Sequence, residues 1–455
     1  MPARGSPAHI PSTTAGADGD YHLWHPFTQM QDFLRSQLLI VERGEGPYLF
    51  DHRGKRYLNL TSCLWNAPLG LGCSEIVEAI GKQLQELGYS TLFRASHRPA
   101  INLAQRISEI TPNGLDRVFL TSNGSESVET AIKLVRQYYS RKGSNKYKVI
   151  SLEGAYHGVS YGALAASGTP EDKAGFGPMP EGFLQIPAPY SRNARSPEVA
   201  ADFAATSAKH LEKAILAEGA ETVAMFLIEP VQGFGGVIIP TQEYFDIISE
   251  TCRRYDVKLV LDEVTTGCGR TGHMFAANNW GLKPDVMCLG KALGAGYFPV
   301  GAAVATDEIW EVFQGRASGD RLNHGSTNAG HPGACAAALT TIDILTRGSL
   351  IGDAKRRGEH FLGKLKELIT LPIVDDVRGI GMMFAIDLTR DSSTGEPLDA
   401  AAMTRVIQGC FVKGLWVHLA GSRIMLLPPF IMEEALLDEA ADGLREVLTR
   451  ADRGL

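Results

Sequence analysis

Six short apolar runs constrain the fold of this chain most. They fall at residues 117–121, 148–152, 223–228, 258–261, 286–289 and 300–304, and helical spacing fills most of the intervals between them. Short apolar runs read as strands buried on both faces, and their alternation with helices predicts an α/β unit around a mainly parallel sheet. Upstream, residues 46–60 read as a hairpin turning at 51–54, and 74–87 and 99–110 carry helical spacing. Beyond about residue 345 the texture changes. Helical stretches at 353–369 and 400–413 alternate with short strands near 381–388 and 424–427, as in α+β structure. The expected division is a loose tail (1–20), an N-terminal segment of a small domain (21–80), a large domain (81–344) and the C-terminal part of the small α+β domain (345–455).

In an open parallel sheet the strand ends gather at one edge, where ligands bind. The run 258–261 ends in Asp262. The run 286–289 leads through Gly290 to Lys291, followed by Gly294 and Gly296. A lysine in apolar surroundings is costly unless it is used, and desolvation lowers its pKa and makes it a nucleophile. A carboxylate beside such a lysine suits pyridoxal phosphate (PLP): the amine holds the cofactor, and the acid keeps the pyridine nitrogen protonated. The plainer alternatives are a surface lysine after a strand and a loop-capping aspartate.

A phosphate site is expected at Phe119-Leu-Thr-Ser-Asn-Gly124-Ser125-Glu126, a strand, a glycine turn and a helix start. Backbone N–H groups at a helix N-terminus bind phosphate, and the Ser125 hydroxyl adds to them. The helix face runs Val128, Ala131, Ile132, Val135, Tyr139. An ordinary capped helix has the same local pattern. Gly267-Cys-Gly269-Arg-Thr-Gly272 matches the dinucleotide GxGxxG spacing, the only support for a nicotinamide-dependent oxidoreductase. Residues 262–266 intervene between strand and first glycine, no clean long helix follows, and Asp285 begins a strand where the fingerprint wants one to end.

A net charge of −7 argues against nucleic acid as a partner. The seven cysteines (63, 73, 252, 268, 288, 335, 410) show neither a CxxC pair nor metal-ligand spacing, so no metal is expected. Several lie in apolar runs, as reduced core cysteines do, which points to the cytoplasm. No run of about 18 apolar residues is present, so no membrane span is expected. Residues 1–20 are rich in Pro, Ser, Thr, Ala and Gly and lack the apolar core of a targeting signal.

Taken in order, the motifs resemble the class III (omega) aminotransferases, PLP enzymes of fold type I. The resemblance is carried by Trp24-His-Pro-Phe-Thr28, Ser122-Asn-Gly-Ser-Glu126, Ala155-Tyr-His-Gly158, Ile228-Glu-Pro230, Leu261-Asp-Glu-Val264, Gly269-Arg-Thr-Gly272 and Gly290-Lys-Ala-Leu293. It continues through Gly296-Tyr-Phe-Pro-Val-Gly301, His324-Gly-Ser-Thr327, Gly330-His-Pro332, Val377-Arg-Gly379 and Pro428-Pro429. It implies that Lys291 holds the cofactor covalently and shuttles the substrate proton, and that Asp262 binds the ring nitrogen. Tyr156 would stack on the ring, Val264 would pack behind it, and His157 and Glu229 would belong to its surroundings. Gly124 and Ser125 would bind the phosphate, with Thr327 reaching it from the neighbouring subunit of a homodimer with shared active sites. Phe27 and Trp65 match substrate-pocket positions. The implied partners are a small-molecule amine donor and a carbonyl acceptor.

Within the family the chain looks most like the diaminopelargonate aminotransferases of biotin synthesis, through Trp24-His-Pro and Gly414-Leu-Trp-Val-His-Leu-Ala-Gly421. It departs from them in the pocket. Phe27 replaces a tyrosine, Val159 an aspartate and His418 the substrate-binding arginine, and the paired aromatic is Leu64-Trp65. The ornithine and 4-aminobutyrate branch fits less well, because Phe234 and Met425 stand where it often has glutamate and arginine. An apolar, aromatic pocket (Phe27, Trp65, Tyr156, Val159, Phe234) favours a bulky amine or carbonyl compound over a dicarboxylate. Without the usual arginine, Arg423 is a candidate for holding an acidic co-substrate. An idle PLP-binding regulator is the non-enzyme alternative, and the presence of both Lys291 and Asp262 speaks against it.

Overall fold

The computed structural model describes residues 21–35, 39–190, 197–391 and 394–452. The expected tail, 1–20, lies outside them. Seven strands form the central sheet, in the order Leu115–Thr121, Gly301–Thr306, Val286–Leu289, Lys258–Asp262, Val223–Ile228, Lys148–Leu152, Phe183–Ile186. Its core strands are apolar on both faces, and their alternate residues enter two different clusters. Met225, Leu227, Val260, Val286 and Cys288 pack with Val128, Ala131, Ile132 and Val135 of helix Gly124–Arg141. Phe226, Ile228, Leu259, Leu261, Met287 and Leu289 pack with Phe245 and Ile248 of helix Gln242–Arg254. Helices therefore cover both faces, which is why these strands carry no polar alternation. This is the α/β architecture of PLP fold type I.

The sheet is mainly parallel, as expected, and Gly301–Thr306 is its exception, antiparallel to both neighbours. Only a 3-10 turn, Lys291–Gly294, and a few further residues separate it from Val286–Leu289. A parallel crossover needs a dozen or more residues, so the chain folds straight back. Phe183–Ile186 adds a parallel edge strand beside Lys148–Leu152 that the apolar pattern does not announce.

The hairpin at 46–60 forms as Tyr48–Asp51 paired with Arg56–Asn59, and Leu415–Trp416 joins it in parallel, with Leu415 opposite Leu58. The two ends of the chain thus share a sheet. A second antiparallel sheet runs Val374–Ile380, Met383–Asp391, Arg423–Leu426, His418–Leu419. Leu350–Lys366, Ala400–Val412 and Glu434–Asp452 are its helices. Among the described residues no single helix is long and apolar enough to cross a membrane.

Candidate active site

Parallel register brings the functional residues to one sheet edge. Asp262 pairs with Cys288, three residues before Lys291, and Ile228 pairs with Leu261, which sets Glu229 beside Asp262. Gly124 opens the helix after Leu115–Thr121, and Tyr156 and His157 follow Lys148–Leu152. The result is a cavity of about 510 Å³ lined by Gly124, Ser125, Tyr156, His157, Val159, Asp262, Val264, Thr265 and Lys291, among others.

Asp262 is 3% exposed. It accepts from Val264 N (3.0 Å) and from His157 Nδ1 (2.8 Å). A carboxylate only accepts, so the imidazole carries its proton on Nδ1. Lys291 Nζ donates to Thr265 Oγ1 at 2.7 Å and lies 4.9 Å from the centroid of the Trp65 ring. Burial pushes the Lys291 amine below its ordinary pKa, partly countered by the charges of Asp262 and Glu229. Glu229 accepts from Tyr156 N (3.1 Å) and Gly233 N (2.9 Å). Burial raises its carboxyl to about 7, with the Asp262 charge adding to the shift and His157 opposing it.

The phosphate end is equally constrained. Asn123 caps the helix by accepting from Glu126 N (3.0 Å), and Glu126 accepts in return from Ser122 N (2.9 Å). This reciprocal cap leaves the first-turn N–H groups of Gly124 and Ser125 without those acceptors. A Cβ on Gly124 would lie 2.6 Å from Val264 Cγ1, so the close approach of these two elements requires glycine. These features fit PLP. A helix N-terminus stands ready for an anion, a buried carboxylate faces the cavity floor, and an amine of lowered pKa completes the set. Buried Trp65 Nε1 and His157 Nε2 have no hydrogen-bond partner among the described residues.

Trp65 arrives by an unusual route. Ser62, Cys63, Leu64 and Trp65 all have positive φ, from 46° to 68°. Left-handed backbone costs L-residues roughly 1–2 kcal/mol each. The turn is held by Ser62 Oγ donating to the Leu427 carbonyl (2.6 Å) and by Arg270 Nη2 donating to Ser62 Oγ (3.2 Å). Trp65 meets His418 edge to face at 5.9 Å, and Phe234 lies 5.8 Å from Tyr156. Burial lowers the His418 pKa, which keeps the ring neutral at pH 7.

Glu229, Trp65 and His418 lie behind the lining residues, through Tyr156, Lys291 and Trp65 respectively, and three further sequence candidates stand apart from the cavity. Phe27 is 76% exposed and does not line it. Thr327 is exposed, and its carbonyl accepts from Tyr89 OH at 2.8 Å. Arg423 is bound to Asp387 and to the Gly235 carbonyl. Sequence reasoning missed Thr265, whose hydroxyl meets Lys291, and the wholly buried Arg270. The GxGxxG stretch is explained by Arg270. Its guanidinium donates to the Met382 (3.2 Å) and Pro428 (2.7 Å) carbonyls and stacks on Phe430, tying the segment to the C-terminal structure.

Comparison with known proteins agrees with this geometry. Residues 32–448 match the model of the family "Aminotransferase class-III". The adenosylmethionine-8-amino-7-oxononanoate aminotransferase of Geobacter sulfurreducens is 36% identical over 431 residues, covering 93% of this chain and 95% of that protein. The putrescine–pyruvate aminotransferase of Pseudomonas aeruginosa is 35% identical over 434 residues, covering 94% of each. The crystal structure of the omega transaminase from Pseudomonas jessenii in complex with PMP superposes with a TM-score of 0.91 at 33% identity, covering 95% of this chain and 97% of that one. A cavity built around a half-buried lysine and a buried aspartate at the strand ends, within a match spanning nearly the whole chain, identifies a PLP-dependent transaminase that belongs to the class III aminotransferases.

Proposed function

We propose that this transaminase acts on bulky or extended primary amines and on aldehydes, ketones or simple oxo acids, and disfavours dicarboxylates. The observation that carries this reading is the set of rings beside the cavity lining. Trp65, Phe234 and Tyr156 gather beside Lys291, and the residue opposite Trp65 is a neutral histidine, His418, without a fixed charge for a carboxylate. Burying an acidic group against such a wall is unfavourable unless a cation pairs with it.

PLP, when bound, supplies the electron sink that allows an amino group to pass between substrates. The chain's own groups have distinct tasks. Asp262, oriented by His157, would hold the proton on the ring nitrogen. Lys291 would hold the cofactor, and its amine, of lowered pKa, would accept and return the substrate proton. Tyr156 and Val264 would hold the ring, Glu229 fixes the Tyr156 backbone by accepting from its N–H, and Gly124 and Ser125 would bind phosphate. Thr327 and Phe27, neither of which lines this cavity, serve the partner's site in a cytoplasmic homodimer. Their exposure in the single chain supports that assignment, and the seven unpaired cysteines support a reducing compartment. We also read two domains, 81–344 and a smaller one from 21–80 with 345–455, supported by the pairing of Leu415 with Leu58.

A diaminopelargonate aminotransferase is the second reading, supported by the Geobacter relative. One experiment separates them. The purified holoenzyme is mixed with single amines, including arylalkyl amines, a diamine and S-adenosylmethionine, and loss of the bound-cofactor absorbance is followed. Rapid change with hydrophobic amines and none with S-adenosylmethionine supports the first reading. Reaction with S-adenosylmethionine alone supports the second, and refutes the first.

A further inference from the structure

The loop 232–238 joins the cavity to the C-terminal sheet. Its ends pair with each other: Gln232 N donates to the Ile238 carbonyl (3.0 Å) and Ile238 N to the Gln232 carbonyl (3.1 Å). Phe234 near its tip packs on Tyr156 and joins the apolar cluster of Trp65, Met383 and Met425. At the other side Gly233 N donates to Glu229. Val237 has φ +53°, a left-handed conformation that a β-branched residue adopts only when its surroundings impose it.

Two arginines from different strands impose it. Arg378, in Val374–Ile380, donates Nε to the Gly236 carbonyl at 2.7 Å. Arg423, in Arg423–Leu426, donates Nη1 to the Gly235 carbonyl at 2.9 Å. Both also bind Asp387, on the strand between them: Arg378 Nη1 at 2.8 Å, and Arg423 through Nε. Asp376 (2.6 Å) and Tyr190 (3.3 Å) complete the surroundings of Arg378 Nη1. Burial opposes charge on Asp387, but the two guanidiniums more than offset it and hold the carboxyl below its ordinary value. Gly236, at φ +117°, lies flat against Arg423, where a Cβ would fall 2.5 Å from Cζ.

We propose that Asp387, Arg378 and Arg423 form a clamp that sets the width of the amine pocket by holding Phe234 against Tyr156. They are positioning residues, and Arg423 acts on substrates only through the loop. The inference rests on the transaminase reading of the cavity for its substrate consequence and on the loop geometry alone for the clamp.

The test uses the full chain with Asp387→Asn, Arg423→Gln, Phe234→Ala and the double variant Asp387→Asn/Phe234→Ala. In cofactor-free protein, hydrogen exchange of peptides covering 232–238 is expected to speed at least about tenfold in both clamp variants, while the core strand Val223–Ile228 stays protected. In the holoenzyme, the ratio of kcat/KM for a bulky arylalkyl amine to that for a short straight-chain amine is expected to rise about tenfold in Asp387→Asn. The change should lie in KM, match that of Phe234→Ala, and grow no further in the double variant, because both changes release one device. Should Asp387→Asn fail to fold, Arg423→Gln keeps the Arg378–Asp387 pair and carries both readouts. Unchanged exchange at 232–238 overturns the clamp. Faster exchange with an unchanged substrate ratio, or additive effects in the double variant, overturns its link to Phe234. Failure of the transaminase reading would remove the turnover assay and leave the exchange result standing.

Discussion

Gly124→Ala probes the packing beneath the proposed cofactor site with the addition of one methyl group. The new Cβ would lie 2.6 Å from Val264 Cγ1 and 3.0 Å from Cγ2. Gly290, which leads into Lys291, shares this contact, since a Cβ built there would lie 3.1 Å from Gly124 N and 3.2 Å from Val264 Cγ1. Val264 must therefore shift, and it is the residue proposed to sit behind the cofactor ring. Overpacking of this kind costs about 1–3 kcal/mol. If that falls on the bound state, it weakens cofactor binding by about 5- to 150-fold, at 1.4 kcal/mol per factor of ten. The assay is an absorbance titration of cofactor-free protein with PLP, beside a thermal melt of the same preparation. Weaker binding is expected together with a lower melt, because the collision is already present in the cofactor-free fold. Val264→Ala, added to Gly124→Ala, should recover part of the loss, because it removes the two methyl groups that collide. A Kd within twofold of the parent, with an unchanged melt, would refute the packing argument.

Asp262→Asn should still bind PLP but slow the amine half-reaction about 10- to 1000-fold. A vicinal carboxylate holds a cationic partner's pKa up by about 1–3 units, each unit being a factor of ten, and an unaltered single-turnover rate would contradict the role. His418→Arg should lower KM for pyruvate or 2-oxoglutarate by about tenfold, since a charged hydrogen bond contributes about 1.5–3 kcal/mol. Steady-state kinetics showing no change in any oxo-acid KM would place the carboxylate elsewhere. Glu263, buried and accepting from Thr266, Ala276 N and Ala277 N, has its carboxyl raised by burial to about 7 from 4.5. A raised folded pKa gives stability that is full below about 4.5 and lost as pH climbs through about 7, on the order of 3 kcal/mol for this shift. Melts of cofactor-free protein should therefore fall less steeply between pH 5 and 7.5 in Glu263→Gln, and parallel slopes would refute the assignment.

The central strands were legible because residues buried on both faces leave unbroken apolar runs, and Asp262 and Lys291 were legible because each ends one. Phe183–Ile186 escaped notice because an edge strand is only half buried. Val374–Ile380 escaped because Asp376 and Arg378 break its apolar pattern, and the structure shows what they are for: an ion network with Asp387. The reversal of Gly301–Thr306 is a matter of connection length, which the apolar runs alone do not convey. Contacts over long sequence separations were invisible in principle. Nothing near Arg423 announces Asp387 or the Gly235 carbonyl, and nothing near His157 announces Asp262. The left-handed turn at Ser62–Trp65 contains no glycine to mark it; tertiary contacts from Arg270 and Leu427 hold it.

The central claim is that Lys291 is the covalent anchor for PLP. Reduction of the loaded enzyme with borohydride, followed by peptide mapping, tests it directly. A single pyridoxyl adduct on Lys291 is expected, with no adduct in folded Lys291→Ala and turnover lost by at least about 10²–10⁴-fold in that variant. A fully loaded enzyme carrying its adduct on another lysine, or an unlabelled Lys291 beside full activity, would contradict it.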